Sequence, residues 1–210
     1  MKTREDQILE WVRGPAVLDV GCTDHVVRES SVYWLHQHLR QKFPHVVGID
    51  ISEENLEKMR QLGYQNLYRM DAETFLLGEK FDSIVAGELI EHLSNPGLFL
   101  DQAHRHLNPG GRLILTTPFA FSLLYVLYSN LKYPKTCENP EHTHWLCVET
   151  MRSLATRHGF RELYFDLVMD YRLDSPSWKY LLFARAVQSF QSIIPKRLRN
   201  NVMLFVLEPA

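Results

Sequence analysis

The sequence predicts an α/β fold in which a mostly parallel sheet is covered by helices on both faces. Three observations carry this. Short apolar runs recur at Val17–Val20, Val46–Asp50, Phe81–Ala86 and Arg112–Thr117. Helix-patterned polar stretches separate them, and that alternation is what a parallel sheet with crossover helices requires. The first run turns sharply at Gly21 in VLDVGCTDH (Val17–His25), the strand, loop and helix start of a nucleotide-type α/β unit.

A chain of 210 residues is read as one domain, 1–210, with room for a sizeable core. Its 45% hydrophobic and 23% charged residues are those of an ordinary soluble globular protein. The net charge of −2 argues against a general nucleic-acid binder. No apolar run approaches the roughly 20 residues of a membrane span. The charged start MKTREDQILEWVRG lacks the apolar core of a signal peptide, so the expected location is the cytoplasm. Cys22, Cys137 and Cys147 contain no CxxC pair, and neither a disulfide framework nor a zinc–cysteine site follows.

In chain order, Glu5–Val12 reads as a short helix closed by Gly14-Pro15. After the first strand, Val32, Leu35 and Leu39 fall at helical spacing within Ser30–Phe43. His36 and His38 on that helix are expected to face solvent. Ser52 is an N-cap for a helix over Glu53–Leu62, with Gly63 as its left-handed stop. Asn66–Met70 is a short third strand ending at Asp71. After the fourth strand Glu88–His92 forms a helical turn, and Asn95-Pro96 starts a helix running to Leu107. Asn108-Pro109-Gly110-Gly111 then turns the chain into the fifth strand. Two segments exceed a minimal fold of this kind, residues 119–145 and 176–200. In the second, Tyr180, Phe183, Val187, Phe190 and Ile194 share one helical face, a stripe expected to pack on the sheet.

Taken as an ordered set, these motifs resemble the class I S-adenosylmethionine (SAM) dependent methyltransferases, over Val17 to Phe160. The resemblance implies a Rossmann-like sheet of seven strands, the last antiparallel, with Arg161–Val168 and Asn201–Leu207 as the sixth and seventh. It implies SAM bound at the carboxyl ends of the strands. Asp19 and Gly21, with Cys22 and Thr23 in the same turn, would lie near the methionine moiety. Asp50, with Ile51 after it, would accept hydrogen bonds from the ribose hydroxyls, and a carboxylate suits this by offering two acceptor oxygens. Asp71 and Ala72 would meet the adenine, and Glu88 would face the cofactor. The chain departs from the family's DxGxGxG turn, keeping only Gly21 of the three glycines, so the loop must trace differently there. A nicotinamide-binding reading would want glycines at 21, 23 and 26. Thr23 and Val26 stand there instead, and no Tyr-x-x-x-Lys follows.

Methyl transfer from a sulfonium depends on positioning more than on acid–base chemistry, because the leaving group departs neutral. A hydroxyl acceptor still needs a base, and His92, His142 and His144 are the candidates. GELIEH in place of an Asn-Pro-Pro-Tyr type loop favours O-methylation. The E-x-x-E-H run with a later histidine (Glu88, Glu91, His92 and His144) is similar to the metal site of small-RNA ribose methyltransferases and ubiquinone-pathway O-methyltransferases. It implies Mg²⁺, Mn²⁺ or Zn²⁺ at the acceptor. The acceptor is read as a small molecule or a glycan- or lipid-linked hydroxyl. Phe119–Tyr133 and the basic Lys196, Arg197 and Arg199 after the stripe leave peripheral membrane contact open. The different-class alternative is a SAM-binding or cofactor-less interaction module that keeps the fold without catalysis.

Overall fold

The computed structural model describes residues 2–23, 34–131, 139–170, 178–190 and 192–210. Seven strands form one sheet: β1 (Ala16–Val20), β2 (His45–Asp50), β3 (Leu67–Arg69), β4 (Phe81–Gly87), β5 (Leu107–Pro118), β6 (Phe160–Val168) and β7 (Val202–Pro209). Their spatial order is β3-β2-β1-β4-β5-β7-β6. The first five pair in parallel, and β7 runs antiparallel to both β5 and β6. Both the α/β reading and the antiparallel last strand are borne out. The order reverses between β1 and β4, so the loops leaving their carboxyl ends diverge and open a crevice there.

Residue alternation along the strands explains the two covered faces. Val17, Val46, Val85 and Ile114 point to one side, where Ile8 and Leu9 of α1 (Arg4–Leu9) and Leu35 and Leu39 of α2 (Leu35–Lys42) cover them. Leu18, Val47, Ile84 and Leu113 point to the other, under α4 (Pro96–His106) and α6 (Val148–Arg157), which contribute Phe99, Leu100, Ala103, Met151 and Ala155. A third cluster gathers Cys22, Trp34, Leu67 and the Leu56 and Met59 of α3 (Glu53–Gln61). At about 25 cal/mol per Å² of apolar surface, such two-sided burial is the main force holding the layers together.

Local chemistry sets the boundaries. A capping box between Thr3 and Asp6 starts α1, one residue before the expected Glu5. Ser52 and Asn95 cap α3 and α4 as expected, accepting from Asn55 N–H and Leu98 N–H. The Asn108–Gly111 turn does not end a strand. Leu107 already pairs with Phe81, pairing resumes at Arg112 with Ser83, and Gly110 at φ +76° lets the chain bulge between them. No helix is expected from the sequence between Trp145 and Phe160, yet α6 forms there.

The two extra segments add α5 (Leu123–Leu131), α7 (Trp178–Ser189) and the short α8 (Lys196–Arg199), with α5 against α8. Along the stripe on α7, Val187 is buried, whereas Phe190 beyond its end is exposed. The side chains of Tyr180 and Phe183 lie outside the described residues, as do residues 30–33 of the second expected helix, His25, Val26 and Cys137. No described helix is long and apolar enough to cross a membrane.

Candidate active site

The chain leaves β1 at Gly21, whose φ of +76° is unstrained only for glycine. The Gly21 and Cys22 amides both donate to the Ile49 carbonyl, at 2.9 and 3.2 Å, which ties the turn to β2. That approach is close enough that a Cβ on Gly48 would stand 2.8 Å from Cys22 Sγ and 2.9 Å from His36 Cε1. The Cys22 side chain is buried beneath the turn, and Trp34 Nε1–H donates to its carbonyl at 3.1 Å. Burial, with Asp19 and Asp50 nearby, pushes the thiol well above its ordinary value, so it is an inert packing residue.

Asp50 sits at the end of β2, half-buried, and organises the turn. Its Oδ2 accepts from Thr23 N–H at 3.1 Å and from Thr23 Oγ1–H at 2.8 Å, while Oδ1 accepts from Ser52 N–H at 2.8 Å. An ionised carboxylate has room for about four hydrogen bonds, so one acceptor direction remains on Oδ1. Ile51, 67% exposed, sets an apolar face beside it. Asp71 is exposed beyond β3 and accepts from Glu73 N–H at 2.8 Å, with Ala72 half-buried next to it. Acceptor oxygens beside an exposed apolar surface fit a nucleoside, which needs both.

Asp19, expected near the methionine moiety, pairs with a residue of α2. Its carboxylate is buried, with Oδ2 2.9 Å from His36 Nδ1, and His36 is itself 0% exposed. The solvent-facing position expected for His36 is therefore corrected. His36 falls three residues before Leu39 on the inward face of α2, and a polar residue there needs a buried partner. That spacing was the available signal.

The side expected to face a methyl acceptor is built around the 3₁₀ turn Ile90–His92 that follows β4. Glu91 is 1% exposed; its Oε2 accepts from Thr117 Oγ1–H at 2.9 Å, and Oε1 has no hydrogen-bond partner among the described residues. Burial, reinforced by Glu88, pushes its carboxyl well above the usual range. Donor atoms of Glu91, His92 and His142 all lie within 4.8 Å of one another, and the two imidazoles meet edge to face at 4.8 Å. Burial and the neighbouring His92 push His142 below its ordinary value, which favours the neutral ring.

The expected cluster of Glu88, Glu91, His92 and His144 is thus recomposed. Glu88 adopts left-handed backbone (φ +54°), its N–H held by the Thr116 carbonyl at 3.0 Å, so it leaves the face shared by Glu91 and His92. His144 is turned to Thr143, with Nδ1 2.8 Å from Oγ1. That hydroxyl has one proton for the Glu91 and Leu93 carbonyls (3.0 and 2.7 Å), so His144 must be the donor to it. His142 takes the place expected for His144, because Thr143 N–H and His144 N–H both donate to the Glu91 carbonyl and pin the loop there. The sequence reading missed Thr116, Thr117 and Thr143 as supports; lone threonines carry no spacing signal.

Aromatic rings flank this cluster. Trp145 stands edge to face with His142 at 6.0 Å and with Tyr125 of α5 at 4.9 Å. The two halves of the site meet at Leu89, whose Cδ1 would lie 3.1 Å from a Cβ at Gly21.

Residues 7–164 match the family model described as a methyltransferase domain. The chain is 34% identical over 111 residues to a ubiquinone biosynthesis O-methyltransferase from Xylella fastidiosa, covering 50% of this chain and 42% of that protein. It is 32% identical over 124 residues to the mitochondrial enzyme of that description from Rattus norvegicus, covering 54% and 34%. The matched stretch thus spans less than half the length of these curated relatives. A SAM-dependent methyltransferase from Archaeoglobus fulgidus has the same fold, with a TM-score of 0.67 at 16% identity over 97% of this chain and 90% of that one.

Replacing His36 by Ala is expected to destabilise the protein by about 3 kcal/mol, the scale of leaving a buried charge without its partner. Guanidinium denaturation measures it, and a wild-type midpoint would show that Asp19 does not depend on the imidazole.

Proposed function

The chain belongs to the methyltransferase-domain family, and from that membership we propose that it transfers a methyl group from SAM to a hydroxyl oxygen of a partly apolar acceptor. The observation that carries the O-methylation reading is the juxtaposition of Glu91, His92 and His142 with the rings of Trp145 and Tyr125. SAM, when bound, supplies an electrophilic methyl on a sulfonium whose sulfur leaves as a neutral thioether. The Asp50 carboxylate would take a ribose hydroxyl at the acceptor direction left on Oδ1, Ile51 would lie against the base, Asp71 and Ala72 would meet its edge, and the Gly21–Thr23 turn would line the methionine side. Asp19 acts from beneath, through the turn. His142, kept neutral, takes the hydroxyl proton as the O–C bond forms, and His92 receives or shares it at ring-to-ring distance. The aromatic rings hold an apolar body of the acceptor and exclude water.

The orphaned buried Oε1 of Glu91 favours a second element, a divalent ion. One carboxylate and two imidazoles suit Zn²⁺ or Mn²⁺ better than Mg²⁺, which prefers oxygen ligands. Glu91, His92 and His142 would hold the ion, the two imidazoles then serving as ligands in place of the base role, and it would supply Lewis acidity toward acceptor oxygens. A peripheral membrane role fits the exposed Val126, Leu127 and Leu131 of α5 and the basic α8 packed against it, with an acceptor bearing a lipid tail.

Calorimetric titration with S-adenosylhomocysteine tests the cofactor reading. Asp50→Ala should weaken binding by about 1.5–3 kcal/mol, the range for hydrogen bonds to a charged group. No heat from the wild type at millimolar ligand would favour a fold-retaining interaction module instead. For the ion, Zn²⁺ and Mn²⁺ titrations of chelator-treated protein should show one site per chain that Glu91→Ala or His142→Ala abolishes; a stoichiometry unchanged in both variants removes the ion from this cluster. Co-sedimentation with vesicles should recover more protein on anionic than on neutral lipid, and equal recovery in the supernatant would exclude the membrane role.

A further inference from the structure

Arg4, in the first turn of α1, is 5% exposed, and its guanidinium is surrounded by carboxylates from three parts of the chain. Nη2 lies 2.8 Å from Glu5 Oε1, and Nη1 lies 3.3 Å from Asp170 Oδ2 and 3.8 Å from Glu88 Oε1. A cation this buried is held only where several anions compensate its lost hydration. The acids hold Arg4 firmly protonated despite its burial, while burial pushes the Glu5 carboxyl up. Arg4 and Asp170 both lie outside residues 7–164 matched by the family model. Glu88 does not: it sits at the carboxyl end of β4, in left-handed backbone that is strained for a non-glycine residue and must be held by its surroundings. The next residue, Leu89, packs beneath the Gly21 turn.

The geometry points to Arg4 as a positioning residue for the cofactor edge. Its ion pairs to Glu88 and Asp170 lock α1 onto the carboxyl ends of β4 and β6 and fix the Glu88–Leu89 shoulder against the Gly21 turn. The inference rests on the methyltransferase reading of that turn. A guanidinium suits the task because its planar fork divides the work, one nitrogen to Glu5 and the other to Asp170 and Glu88. A lysine ammonium keeps the charge without that fork. Methionine keeps much of the apolar stem and loses the charge, so the two substitutions separate packing from pairing.

Calorimetry with S-adenosylhomocysteine and guanidinium denaturation are run side by side on the full chain as wild type, R4K, R4M, E88Q, D170N and R4M/E88Q. R4M is expected to weaken binding by about tenfold, equivalent to about 1.4 kcal/mol, with R4K recovering part of the loss. In R4M/E88Q the loss should be smaller than the R4M and E88Q losses multiplied together, because the two side chains share one interaction. Wild-type affinity in R4M, whatever its denaturation midpoint, would overturn the inference, and so would R4M and E88Q losses that simply multiply. Should R4M not fold, D170N and R4K carry the test, and wild-type affinity in both overturns it. If the wild type binds no S-adenosylhomocysteine, the methyltransferase reading fails and the positioning role with it; the denaturation cycle then still reports whether the Arg4–Glu88 pair is coupled.

Discussion

The carboxyl edge of the sheet depends on there being no side chain at position 48. Gly48 lies beside Asp19 in the β1–β2 ladder, and Cys22 Sγ, Leu67 Cδ2 and His36 Cε1 all converge within 3 Å of where its Cβ would stand. All three side chains are buried, so a substituent there has to displace packed groups and presses on the turn through Cys22. With the space open, the Gly21 and Cys22 amides reach the Ile49 carbonyl and Thr23 reaches Asp50. A turn with one glycine instead of three is thereby held by contacts from below. The glycine that looks missing from the loop has its counterpart in the strand beneath it.

The acids of the site divide by environment. Asp50 and Asp71 stay in contact with water and accept backbone hydrogen bonds, and carboxyl oxygens so placed suit neutral hydroxyl and amino donors. Glu91 is deep and has lost hydration, so its proton is held tightly unless something positive arrives at Oε1. Asp19 meets the same burial differently, through a hydrogen bond to a buried histidine. Identical functional groups thus stand in three settings: wet and bonded to backbone, buried with the proton held, and buried against a histidine.

Much of this was legible in the sequence because buried parallel strands are written as unbroken apolar runs and helix starts as capping residues. Asp50, Ile51, Asp71 and Ala72 follow strand ends, and a strand end is a place the sequence marks. What it marked poorly were side-chain directions across the chain. His36 reads as polar helix surface until Asp19 is placed under it. Glu88 reads as i, i+3 with Glu91 until its left-handed backbone breaks the helical spacing. His142 and His144 are equivalent by sequence, and only the pinning of Thr143 to the Glu91 carbonyl decides which ring enters the cluster. α6 opens at a cysteine N-cap after an irregular polar loop, and its four inward residues (Val148, Met151, Leu154 and Ala155) make a stripe of only about two turns.

The same reasoning explains why the histidine cluster and the aromatic segment belong together. The loop carrying His142 is fixed at Glu91 by backbone amides, while Trp145 three residues on is fixed to α5 through Tyr125. A peptide so short cannot move one end independently of the other, so the position of α5 and that of the His142 ring are coupled. α5 in turn packs on α8 and presents Val126, Leu127 and Leu131 to solvent. Anything bound to that apolar surface would therefore act on the His142 ring, through a chain of contacts only a few residues long. An acceptor with an apolar tail would engage both ends of this linkage at once, its tail along α5 and its hydroxyl at His142. Its binding energy could then be used to set the histidine in place, rather than only to hold the molecule near it.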